Sequence, residues 1–135
     1  MVDRRVFICC AIALLVTSQA LKAHHSAAEY DTAIATMKNA TITRFVWVNP
    51  HSLVIFDVKG PDGKVASWTV ETGTPTSLSR VGWNRNALRP GDTVTVVLNR
   101  ARDGSKLGRL VKIVKADGQE LLDTQKRAST AAFVK

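Results

Sequence analysis

Phe45-Val46-Trp47-Val48-Asn49-Pro50-His51-Ser52-Leu53-Val54-Ile55-Phe56-Asp57-Val58 is the stretch whose reading decides the fold. Two apolar, β-branched runs flank Asn49-Pro50-His51, which is the pattern of a strand, a tight reversal and a second strand. Pro50 cannot donate to a ladder and pushes Asn49 toward extended backbone, so the break is a corner. A histidine at that corner, beside the barrel or sandwich these strands must form, is the sharpest functional clue in the chain.

Working outward, Ile34 to Met37 begins the first strand, Asn39 kinks it, and Thr41 to Val48 continues it. Asparagine tolerates the dihedrals that a bulge requires. Ahead of it, His24 to Asp31 is polar and without period, an extended lead-in. Leu53 to Lys59 is the second strand. Gly60-Pro61-Asp62-Gly63 is strong turn chemistry, and Val65 to Glu71 returns as the third, with Trp68 and Val70 alternating with Ser67 and Thr69. Thr74 suits an N-cap and Pro75 the first position of a short helix with Leu78 and Val81 on one face. Gly82 ends that turn, and Trp83 is placed to fold back under the barrel. Leu88 to Asp92 is another sharp turn. Thr93 to Arg100 is the fourth strand, with Val94, Val96 and Leu98 on one face and Thr93, Thr95, Val97 and Asn99 on the other. Leu110 to Lys115 is the fifth, and Glu120 to Leu122 adds a short strand. The expectation is a mainly β domain: a small OB-like antiparallel β-barrel with one short helix between strands three and four. Another small antiparallel barrel or sandwich is the runner-up.

The 135 residues suit one domain once a precursor segment is set aside. Residues 1–23 have the three parts of an export signal: Arg4 and Arg5, an apolar run from Val6 to Val16, then small residues. Cleavage after Ala20 or after Ala23 both fit, and Arg4-Arg5 also approximates a twin-arginine start. The apolar run is too short for a stable membrane span, so the expectation is a periplasmic or secreted protein with no span after cleavage. The barrel domain is then 24–122, and 123–135 a mobile C-terminal tail. Both cysteines, Cys9 and Cys10, lie in the signal, which leaves the mature chain without thiols. The formal net charge is +8; without three bases (Arg4, Arg5, Lys22) and one acid (Asp3) it is +6. That balance favours anionic partners, but export argues against nucleic acid.

All three histidines lie in two places, His24-His25 and His51. Strand one runs toward the Asn-Pro-His corner, strand two away and strand three back, so Glu71 belongs on the same rim as His51. The lead-in from His24 to Ala33 can span roughly 33 Å, enough to return there. His24, His25, His51 and Glu71 are therefore a candidate metal site, and imidazole with one carboxylate suits copper before zinc. Arg100, Arg102, Lys106 and Arg109 crowd the loop between strands four and five, a candidate site for an anion or polysaccharide, with edge protection by charge as the plain alternative. Trp47, Trp68 and Trp83 read as core. The mature chain has neither a cysteine nucleophile nor a Gly-x-Ser-x-Gly, His-Glu-x-x-His or phosphate-loop motif, so the reading is a binding module and not an enzyme.

Ala23-His24-His25-Ser26, Trp47-x-Asn49-Pro50-His51, Asp62-Gly63-Lys64, Trp68-x-Val70-Glu71-x-Gly73-x-Pro75, Gly82-Trp83 and Arg89-Pro90-Gly91-Asp92 occur in that order. This resembles a family of small exported bacterial proteins classified only as a domain of unknown function, from His24 to about Leu121. The resemblance implies a secreted or periplasmic β-rich domain and supplies no activity, ligand or catalytic residue. Asn39 and Thr72 stand where that pattern would have glycine. Two functional expectations follow: a binding module, with a metal at the rim or an anion at the basic loop, or a cell-envelope structural or interaction protein docking through a barrel edge or the tail.

Overall fold

A computed structural model of the chain describes residues 30–123. The expected signal, His24-His25 and the tail from 124 onward lie outside the described residues. Within them are six strands and one short helix: β1 (Tyr30–Val46), β2 (Leu53–Lys59), β3 (Val65–Glu71), α1 (Pro75–Ser79), β4 (Thr93–Ala101), β5 (Leu107–Lys115) and β6 (Glu120–Leu122). No helix among them is long and apolar enough to cross a membrane.

The strands form one six-stranded sheet in the order β3-β2-β1-β4-β5-β6, with antiparallel neighbours throughout. A further, parallel pairing of Thr69–Glu71 with Leu107–Arg109 joins β3 to β5, so the ladder returns on itself. A long, sharply bent β1 makes this geometry: its first part pairs with β4 and its last with β2. The bend is at Asn39, which has φ 55° where the register with β4 shifts between Met37 and Ala40. Asparagine reaches that left-handed region at lower cost than bulky residues do, so the sequence marks the bulge.

Alternation decides what is inside. Val54 and Phe56 of β2, Trp68 and Val70 of β3, and Val94, Val96 and Leu98 of β4 face one core, with Leu110 and Ile113 of β5. Four strand limits differ from the sequence reading, the smallest change being in β4, which runs one residue further, to Ala101. β1 starts at Tyr30, because Tyr30 pairs with Ala101 and Asn99 Nδ2 donates to the carbonyls of Thr32 (3.4 Å) and Ala33 (3.3 Å). It ends at Val46, before Trp47 and Val48, and β5 starts at Leu107, where the pairing with β3 recruits three more residues. The second face of β4 is also less open than its alternation suggested, since Val97 and Asn99 are buried.

After β3 the chain closes one end of the sheet. Thr74 Oγ1 accepts from Ser77 N at 3.1 Å, and Pro75 opens α1, as its sequence requires. Leu78 and Trp83 are then fully buried, and Trp83 lies 5.6 Å from Phe45, centroid to centroid. Its indole N–H donates to the Leu122 carbonyl at 3.0 Å, tying this plug to β6.

Candidate functional site

The pairing of Leu53 with Glu71 sets the corner before β2 beside the end of β3. His51 Nδ1 lies 3.1 Å from Glu71 Oε1 and 3.1 Å from the Thr72 carbonyl oxygen. Both neighbours are acceptors, so in the neutral ring Nδ1 carries the hydrogen and Nε2 keeps its lone pair. Below this pair, the Thr72 hydroxyl donates to the buried Asp123 carboxylate at 3.2 Å. That bond explains a hydroxyl residue where glycine was expected, and it holds Asp123 in the body and not in a tail. Ser52 Oγ is buried here with no hydrogen-bond partner among the described residues.

The structure thus brings together His51 and Glu71 of the four expected metal-site residues. His24 and His25 lie outside the described residues. Among those described, no group of three or more His, Cys, Asp or Glu is placed to hold a metal ion. The reach assumed for the lead-in also shrinks, because Tyr30–Ala33 belong to β1. Six residues from His24 to Glu29 span roughly 20 Å at most.

The opposite end of β2 and β3 is built differently. Val58 pairs with Ala66 across the hairpin, two residues along from the buried Phe56–Trp68 pair. They face the same side as that pair, but both are only half-buried, so the core opens there. The opening is a cleft of about 320 Å³. Four cations line it: Lys38 of β1, Lys59 of β2, Arg100 of β4 and Lys106 just before β5. Arg100 Cζ and Lys106 Nζ stand over Trp68, 5.6 and 5.1 Å from the ring centroid, within cation–π range. No carboxylate lines the cleft. Asp103, the acid of the neighbouring turn, accepts from Ser105 N at 2.9 Å.

The four residues expected to act together at the basic loop therefore divide. Arg100 and Lys106 meet at the cleft. Arg102 does not line it: its Nε donates to the Tyr30 carbonyl at 3.1 Å, pinning the start of β1. Arg109 lies along β5 in register with Glu71, away from the cleft. Lys38 and Lys59 take the vacant places, and sequence reasoning missed both. Strand direction alone gave no signal for them, because Lys59 meets the loop entering β5 only through the parallel pairing of β3 with β5.

A family model decides where the chain belongs: that of a family of unknown function, DUF6152, matches residues 12–110. The chain belongs to the DUF6152 family. The resemblance seen in the Asn-Pro-His and Glu-x-Gly-x-Pro elements is thereby borne out. Both ends of the sheet fall within the DUF6152 match, since His51, Glu71 and all four cleft cations lie between residues 12 and 110. No curated protein and no solved structure matches the chain.

Proposed function

We propose that this DUF6152 member is an exported, non-enzymatic binding module whose ligand is an anion held in the Trp68 cleft. The export segment supports the location, and the β3–β5 pairing with α1 between β3 and β4 supports an OB-like barrel. One observation carries the ligand: Lys38, Lys59, Arg100 and Lys106 converge on one cleft with no acid in its wall. Like charges brought together by folding repel, and an anion between them relieves that repulsion. None of the four is in an ion pair among the described residues.

Titration calorimetry with inorganic phosphate at low salt tests this. Binding should weaken as ionic strength rises, and Arg100→Glu with Lys106→Glu should lower affinity by at least about tenfold with the fold retained by circular dichroism. Unchanged affinity in that variant overturns the assignment to the cleft.

His51 favours a second reading. A ring whose N–H is held by a carboxylate and a carbonyl, with the other nitrogen exposed as a lone pair, is the arrangement that orients a metal-ligating histidine. Copper before zinc is the metal this donor would take, with His24 or His25 as further donors. Copper titration of the processed protein should show a site lost in His51→Ala; equal affinity in the two removes the rim from consideration.

A further inference from the structure

We infer that the ligand of the cleft is an amphiphilic monoanion or dianion, a small molecule with one phosphate- or sulfonate-like head and an apolar, preferably aromatic, body. This rests on the anion-binding reading above and adds the ligand's second half.

The cations account for only one part of the wall. Met37, Val58, Pro61, Ala66 and Trp68 make up the other, contributed by β1, the β2–β3 hairpin and the turn between those strands. Val58 and Ala66 are the last inward-facing pair of the hairpin, left half-covered where the corresponding pair further in is buried. Apolar surface left open at the mouth of a core favours an apolar guest by the area it removes from water. A bare inorganic anion would satisfy the cations and leave that surface wet.

Size sets a second limit. At about 320 Å³ the cleft is at the small end of ligand sites, which run roughly from 300 to 1,000 Å³. It suits a compact molecule and not a long polymer segment. The two cations over Trp68 set the order of parts. They occupy the ring face, so the anionic head meets Arg100 and Lys106, and the body lies toward Val58, Ala66 and Pro61. Trp68 is a positioning residue that holds both cations at one height and reports on the site by its fluorescence.

Methyl phosphate and phenyl phosphate separate the two halves, because at pH 8 they carry nearly the same charge and differ only in the body. Titrations followed by tryptophan fluorescence and calorimetry should give phenyl phosphate an affinity at least about tenfold higher than methyl phosphate. Lys59→Gln should weaken both to the same degree. Val58→Thr, which keeps the side chain's shape, should narrow the ratio between them. Equal affinities for the two esters overturn the amphiphile while leaving the anion reading intact. A ratio untouched by Val58→Thr overturns the placement of the body. If neither ester nor inorganic phosphate binds, both readings fall.

Discussion

The two ends of the β2–β3 hairpin are made from the same strands and arrive at opposite outcomes. At the Glu71 end, α1 and Trp83 cover the core, and the polar groups turn to one another: His51 to Glu71 and Thr72, Thr72 to Asp123. At the Lys59 end no element caps the core among the described residues, and four charges of one sign stand around the opening unpaired. A region that pairs its polar groups with one another, the Ser52 hydroxyl apart, and excludes water stabilises the fold. One that leaves charge and apolar surface uncovered is suited to take up something else. On the reading proposed above, that difference assigns ligand binding to the open end.

If that division is correct, substitutions at the plugged end should act on stability and those at the open end on binding. The largest effect expected is for Trp83→Ala, which removes a buried indole and its bond to Leu122; it should cost about 3–5 kcal/mol in urea denaturation. Gly108→Ala tests the parallel pairing that joins β3 to β5. A Cβ there would press on the Leu98 side chain and lie 2.9 Å from the Asn99 carbonyl oxygen. Overpacking against backbone should cost about 1–3 kcal/mol.

Ser52→Ala reverses the sign. Its hydroxyl is buried without a partner, so replacing it should leave stability unchanged or raise it by up to about 1 kcal/mol. A loss of 2 kcal/mol or so would mean the hydroxyl has a partner after all. Smallest of all, Lys59→Gln should move stability by no more than about 0.5 kcal/mol, since it breaks no ion pair. Phosphate affinity should nonetheless fall in the same protein. His51→Gln should leave phosphate affinity unchanged, and a parallel loss of anion affinity there would dissolve the distinction between the ends.

Most of the architecture was legible because local chemistry and tertiary context agree. Asn39 bends β1, Gly63 takes φ 79° in the β2–β3 turn, and Thr74-Pro75 starts α1, each in the role its side chain dictates. The limits that moved are those set by partners in space. Tyr30–Ala33 become strand only because β4 runs alongside, and Leu107–Arg109 only because β3 does. The rim was legible for the same reason as the fold, since strand direction alone puts His51 by Glu71. The cleft was not, because its cations come from positions 38, 59, 100 and 106, which share no spacing and meet through the bend in β1. Nor does sequence proximity separate Arg100 and Lys106 from Arg102 and Arg109, which flank the same turn and face other tasks.

The central claim is that an anion enters the open end and leaves the plugged end untouched. Titrating phenyl phosphate into isotopically labelled protein, followed by amide and indole chemical shifts, tests it most directly. The account predicts saturable shifts at the Trp68 indole and at the amides of Lys59, Gly60, Ala66 and Lys106, with His51, Glu71 and Thr72 unmoved. Shifts centred on His51 and Glu71, with Trp68 silent, would contradict it.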